Sequence, residues 1–271
     1  MSTFVLRGRN SRALFSGGQM SSTEWWKSPN PRLQRNLKIC LFLIPFLMVA
    51  SLLAIKFYRP GVYYRYAMRE DGVLEYLSAV SYLLASVFFI LSWRRSRSLG
   101  NRLVSLGYFA AGMLFFVVSG EEISWGQRIL GIATPESISE VNRQGELTLH
   151  NLEGLHRYQL PGYLSIAFLG TFGWVALAAL PKRARDSLTG TGLSRFVPDW
   201  FLSSYFLVLL VVFSAMTYLQ GPLIDVFGEA VRKGGGHFVS GDQEPAEAVF
   251  SLGVMLFAAL GYLRLRDEPP E

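Results

Sequence analysis

The 271-residue chain is 51% apolar, 14% aromatic and only 17% charged, where a soluble domain usually carries about a quarter charged residues. The shortage is concentrated in long charge-free runs, which excludes an ordinary soluble domain and marks a chain that crosses a bilayer. The formal charge of +6 does not mark a nucleic-acid binder, because the Lys and Arg residues flank apolar runs and form no helical stripe.

Residues 1–38 hold seven basic residues against Glu24 alone and show no apolar period. Met48-Val49-Ala50 matches a leader-peptide cleavage site poorly, so the segment is expected to be an uncleaved, disordered basic tail. Trp25 and Trp26 are expected at the lipid interface, and Met20 is an alternative start. The first span is expected at about Ile39 to Phe57, since about 20 residues cross a hydrocarbon core of roughly 30 Å. Pro45 lies inside it, as membrane helices tolerate. Cys40, the single cysteine, allows no intrachain disulfide or thiolate cluster and is read as a small buried hydrophobe.

A Tyr- and Arg-rich interfacial link, Tyr58 to Asp71, leads to a second span at about Gly72 to Trp93 and a basic turn through Arg94, Arg95, Arg97 and Arg102. The third span, about Leu103 to Ser119, carries Gly107, Ala110, Ala111 and Gly112, small residues that permit close helix packing in lipid. A polar segment, 120–160, precedes the fourth span, about Pro161 to Leu180. A basic linker with Lys182, Arg183, Arg185 and Arg195 leads to the fifth, about Trp200 to Leu219. A second polar segment, 220–246, precedes the sixth, about Ala246 to Leu263, and residues 264–271 form a closing tail. The expected fold class is therefore all-α, an integral membrane bundle of about six helices, with an amphipathic interfacial segment between the third and fourth.

Six crossings gather 17 of the 26 basic residues on one side and 14 of the 20 acids on the other. Lys/Arg bias sets orientation, which predicts cytoplasmic termini and all three histidines on the outer face, and the bias suits a bacterial inner membrane.

The stretch Gly120 to His156 carries the chemistry. Two adjacent carboxylates, Glu121 and Glu122, stand where a span leaves the membrane, a position that suggests function. Paired carboxylates suit general acid/base work. If the third helix continues outward, Glu121, Trp125 and Arg128 share one face; a Glu121–Arg128 ion pair that only ends the helix is the alternative. Thr134-Pro135-Glu136 reads as a helix start running to about Asn142. A helix over Glu146 to Arg157 would align Glu146, His150, Glu153 and Arg157 as an interfacial stripe, although Leu147 and Leu149 also fit an extended piece. His150, His156 and His237 are candidate ligands for zinc or another divalent metal, each weighed against an ordinary hydrogen-bonded interfacial histidine. Glu153 and His156 have the Glu-x-x-His spacing of di-iron bundles, but in one copy only. Glu75, a turn into the second span, could reach the Glu121/Glu122 region or snorkel to the interface.

The string GEEISWGQRILGIATPE, with NRQGELTLHNL after it, resembles a pattern of uncharacterised bacterial polytopic membrane proteins over about Gly120 to Leu152, and implies no known activity. A second, partial likeness is to the CAAX-protease-like glutamate intramembrane peptidases, with Glu121-Glu122, Arg128, His156 and His237 as counterparts; it implies hydrolytic chemistry. The sequence departs from that family in three ways: Arg128 lies further from the pair, His156 lacks the preceding Phe, and no Asn follows His237. The expected outward face also differs from the family's cytoplasmic-side site.

Two functions are weighed. In the first, Glu122 activates water, Glu121 and Arg128 set its charge, and the histidines bind metal or stabilise an oxyanion, so that a lipid-linked or membrane-peptide substrate is hydrolysed at the outer face. In the second, residues 120–160 dock a membrane partner or small ligand without catalysis, with Trp125, Asn142, Glu146, Asn151 and Glu153 as binding residues. The bilayer is a partner in both, and nucleic acid in neither.

Overall fold

The computed structural model describes residues 31–67, 72–142, 145–149, 152–215, 218 and 243–268. Residues 1–30 of the expected disordered tail and nearly all of the second polar segment, His237 included, lie outside the described residues, whereas 31–38 of that tail are helical. Six helical segments are long and apolar enough to cross a membrane, and among the described residues there is no strand, only an isolated bridge between Asn142 and Leu152. The chain is an all-α, multi-pass membrane bundle.

Helix α1 (Pro31–Tyr58) begins well before the apolar run at Ile39. At 1.5 Å per residue its 28 residues extend about 42 Å, more than the hydrocarbon requires. Pro45 is its only buried residue, so α1 is peripheral. Cys40 is exposed, contrary to the buried position expected, because it lies on the outward side of this outer helix. The supposed Tyr58–Asp71 link contains a second helix, α2 (Pro60–Ala67). It places Tyr63 against Leu74 and Ala248 and under the ammonium of Lys56, 5.7 Å being the comparable Lys38–Phe201 distance and 5.6 Å this one.

Helices α3 (Val73–Arg97) and α4 (Arg102–Glu122) form an antiparallel pair. Without a hydrophobic drive between helices in lipid, close approach and interhelical hydrogen bonds hold such pairs, and both occur here. Ser86 Oγ donates to the Gly112 carbonyl at 2.7 Å and Ser119 Oγ to the Ala79 carbonyl at 2.8 Å. A Cβ on Gly112 would come within 2.7 Å of Ile90, which is why the small residues of the third span matter. Asn101 caps α4 by accepting from the Val104 amide at 3.1 Å, and its amide donates to the Thr191 carbonyl at 2.8 Å.

Helix α5 (Gln127–Leu130) and helix α6 (Glu136–Ser139) are single turns in the polar segment. Helix α7 (Glu153–Ala179) is the fourth span and includes Pro161. Lys182–Gly190, expected as a linker, is helix α8, about two and a half strongly polar turns started at Pro181, whose fixed φ suits a helix entrance. The fifth span opens with 3-10 turns at Leu193–Phe196 and Trp200–Leu202 and continues as α9 (Ser203–Ser214). Helix α10 (Gln243–Arg266) is the sixth.

The helices pack laterally in the order α4, α3, α10, α9, α7, with α1 against α9 and the Trp200 turn. Aromatic rings fill the centre: Phe115 stacks on Tyr82 and on Phe89 at 5.7 Å each, and Phe250 meets Phe206 edge-on at 5.5 Å. Gly170 and Gly253 let α7 and α10 close on Phe206 and Tyr205 of α9. The Arg-rich end is tied by polar bonds: Arg95 Nε donates to the Leu265 carbonyl at 3.0 Å, Arg195 pairs with Glu268 at 2.9 Å, and Arg264 pairs with Asp199. The opposite end is open to a different chemistry.

Candidate functional site

That opposite end is where α4 finishes and where α3, α7 and α10 begin. Glu75 lies in the first turn of α3 and Glu244 in the first turn of α10, where the partial positive charge of a helix N-terminus favours a carboxylate. Glu247 follows Glu244 by three residues and so shares its side of α10. Glu122 is the last residue of α4. These helices bring four acids together: Glu122 is within electrostatic reach of Glu244, Glu75 and Glu121, and Glu247 within reach of Glu122, Glu244 and Glu75. Glu122 and Glu247 are half-buried.

Two phenols close the inner side of this group. Tyr82, two turns below Glu75 on α3, and Tyr163 of α7 both feel Glu122, Glu244 and Glu247. Tyr82 is fully buried, and its hydroxyl has no hydrogen-bond partner; nor does the hydroxyl of buried Ser78, one turn after Glu75. An unsatisfied buried hydroxyl costs about 1–3 kcal/mol, so it calls for an explanation.

Over this group lies a hydrogen-bonded loop that starts abruptly. Helix α4 does not continue outward as expected. Three successive residues, Ser124, Trp125 and Gly126, take positive φ of 46°, 53° and 75°, and the chain turns back on itself. For Ser and Trp this conformation costs roughly 1–2 kcal/mol each. Glu121 offsets it: Trp125 Nε1 donates to one carboxylate oxygen at 2.7 Å and the Leu149 amide donates to the other at 2.6 Å. The Trp125 ring lies flat over Gly120, where a Cβ would stand 2.8 Å from the indole. Glu121 and Trp125 therefore meet as the i, i+4 spacing suggested, but through a reversal and not along one helical face.

Farther along, Ser124 Oγ donates to Glu146 at 2.5 Å, the Leu147 amide donates to Gln127 Oε1 at 2.7 Å, and Gln127 also bonds Thr134. Buried Asn142 donates to the Thr148 carbonyl at 2.7 Å and accepts from the Glu146 amide at 3.3 Å. Asn142 and Glu146, expected as binding residues, are thus fasteners of the loop. Of the conditional helix over Glu146 to Arg157, only Glu153 onward is helical, as the start of α7, while 145–149 follow an irregular path. Glu146 therefore does not continue the helix that carries Glu153 and Arg157, since Asn142 and Gln127 hold 145–149 in that path; His150 lies outside the described residues. Thr134 is not the cap of α6, which begins after Pro135 and ends at Ser139.

Arg128 sits in α5 and His156 in the first turn of α7, but their side chains, like that of Glu153, lie outside the description. His150, Asn151 and His237 are outside the described residues altogether. Among the described residues no three of His, Cys, Asp and Glu stand close enough to hold a metal ion.

Of the acids that converge, Glu75 and Glu122 were singled out in the sequence, whereas Glu244 and Glu247 were not. Their signal is the i, i+3 pair opening the last apolar run. Tyr82 and Tyr163 gave no signal, because a tyrosine in a span reads as packing. Trp125 is 44% exposed and forms, with Ile129, Leu130 and Ile132, an exposed apolar rim on the loop.

No protein-family model, no curated protein and no solved structure matches this chain.

A substitution tests the loop's anchoring. Gly120→Ala forces the indole of Trp125 off the end of α4, with a cost of about 1–3 kcal/mol typical of overpacking. The expected result is a red-shifted, more quenchable tryptophan emission relative to a Trp125→Phe background. An unchanged spectrum would mean that the ring does not rest there.

Proposed function

We propose that the chain is a membrane-embedded hydrolase that uses carboxylates as its acid and base, acting on a lipid-linked or membrane-peptide substrate at the non-cytoplasmic face of a bacterial inner membrane, with both termini cytoplasmic. The observation that carries this reading is that Glu122 and Glu247, from two different helices, lie within electrostatic reach of each other and of buried Tyr82, whose hydroxyl has no partner. Structural ion pairs need opposite charges, and a group of like charges costs stability unless function retains it. The acid-rich outer side and the Arg-rich opposite side support the orientation.

In this reading Glu122 accepts a proton from water as the water oxygen bonds to the carbonyl carbon of an ester or amide. The bond to the leaving group breaks, and Glu247 delivers the proton that the leaving group needs. The proton taken by Glu122 then passes to Glu247 and restores it for the next turnover. Tyr82 donates its unused O–H to the oxyanion as charge develops. Glu121, expected with Arg128 to set the charge of Glu122, is assigned to the loop, because both of its oxygens accept hydrogen bonds. His156 enters α7 at the same end, and zinc or another divalent ion bound by the histidines belongs to the same reading.

The test uses the full chain in nanodiscs incubated with a total bacterial lipid extract and, separately, with membrane peptides, products being read by mass spectrometry. A hydrolysis product formed by the native protein and absent with Glu122→Gln supports the reading; identical product profiles reject it. The exposed Trp125, Ile129, Leu130 and Ile132 rim favours a second reading, a non-catalytic subunit that docks a membrane partner. Such a subunit would give no product that Glu122→Gln removes.

A further inference from the structure

We infer that the elbow between α1 and α2 binds the phosphate of an anionic membrane lipid, whether or not the chain hydrolyses anything. A groove of about 370 Å³ opens there, and Tyr58, Arg59, Gly61, Val62, Arg65 and Tyr66 line it. Both arginines are exposed. Among the described residues neither guanidinium forms a hydrogen bond or an ion pair. Guanidinium groups present paired N–H donors that match phosphate oxygens, and the two phenols add O–H donors beside them.

The elbow is held in place from behind. The Arg59 amide donates to the Ile55 carbonyl at 2.8 Å, which extends the bonding of α1 to its last turn. The Arg59 carbonyl accepts from the Val62 and Tyr63 amides at 2.9 and 3.1 Å, which starts α2. Tyr63, which does not line the groove, is 2% exposed and packs on Leu74 and Ala248, so α2 is pinned to the starts of α3 and α10. Room for a ligand stands beside Gly61, where an added Cβ would meet no atom within 4 Å.

Charge and depth select the ligand. This is the acid-rich end of the bundle, yet two arginines and no acid line the groove, so its lining attracts an anion. Tyr58 directly follows the apolar run that ends at Phe57, which sets the groove at the level of headgroups, where Tyr rings favour the interface. Below it, Leu53, Ile55 and Phe57 of the peripheral α1 are exposed. A phosphate held at the elbow therefore has an apolar helix surface beneath it for acyl chains, a contact that free phosphate cannot use.

The experiment adds short-chain phosphatidic acid or short-chain phosphatidylcholine to the full chain in uncharged detergent. The bound fraction is read by native mass spectrometry, and thermal unfolding is followed without added lipid. The expected result is retention of phosphatidic acid in preference to phosphatidylcholine. Retention should fall roughly tenfold, the equivalent of one charge-assisted hydrogen bond, when Arg59→Gln and Arg65→Gln are combined. It should fall comparably in Gly61→Leu, which fills the groove and keeps both charges. Lys182→Gln with Arg183→Gln, on α8 at the opposite end, removes as much charge and should leave retention unchanged. Equal retention of phosphatidylcholine, undiminished retention in the Arg59/Arg65 variant, or an equal loss in the α8 variant would overturn the inference. Undiminished retention in Gly61→Leu would overturn the groove as the place of binding. A lowered unfolding midpoint in the Arg59/Arg65 variant would make these guanidiniums structural and overturn their role as ligands. Complete displacement of the lipid by an excess of inorganic phosphate would overturn the lipid source. No readout here involves hydrolysis, so failure leaves the Glu122→Gln product assay untouched.

Discussion

Glu121→Ala is expected to destabilise the protein by about 2–4 kcal/mol, the cost of two charge-assisted hydrogen bonds in a buried setting. Glu121 is 8% exposed, so water does not replace what the substitution removes. The Trp125 N–H and the Leu149 amide both lose their acceptor. Only the Ser124–Glu146 hydrogen bond and the Trp125–Phe116 ring contact then offset the left-handed conformation of Ser124 and Trp125, and the loop should loosen. Thermal unfolding in detergent, together with hydrogen exchange at Leu149, measures both consequences. A midpoint within error of the native protein would show that the fastening is not formed.

Its neighbour should behave in the opposite way. Glu122→Gln is expected to keep the native unfolding midpoint or raise it, by up to ~2 kcal/mol as stabilising substitutions at strained functional sites commonly do, while abolishing hydrolysis. The amide keeps the shape of the carboxylic acid and cannot ionise, so it removes the penalty that burial and the neighbouring Glu75, Glu121 and Glu244 place on a charged Glu122. Two adjacent glutamates would then separate cleanly: one holds the loop, and the other holds the chemistry. The same thermal scan run beside the product assay decides this. A large loss of stability in Glu122→Gln would make Glu122 a structural residue like Glu121.

The bundle was legible in the sequence because charge-free runs of about 20 residues leave few alternatives in lipid. The six expected spans correspond to the six apolar helices, and Gly112 packs against α3 as the small-residue rule requires. The helix ends were less legible. Helices α2 and α8 are rich in Tyr, Lys, Arg and Ser, so their composition resembles that of a linker, and only tertiary placement makes them helical. The course of Ser124 to Gly126 was invisible for a stronger reason. Ser and Trp avoid positive φ, and what holds them there is Glu121 and a backbone amide 28 residues away. The group of acids was half legible. Glu75 and Glu122 stood at span ends where an acid attracts notice, whereas Glu247 belongs to a helix separated from them by most of the chain, and no local pattern announces that meeting.

Cross-linking in native membranes tests that meeting most directly. In a Cys40→Ser background, Glu75→Cys with Glu247→Cys, and Glu122→Cys with Glu247→Cys, are treated with a short bismaleimide. A third pair, Ser98→Cys with Glu247→Cys, is the control, since Ser98 follows the far end of α3, about 35 Å along the helix from Glu75. The account predicts that both carboxylate pairs become linked and the control does not. Single-cysteine labelling at all four positions without any link between 75 and 247 or between 122 and 247 would contradict it.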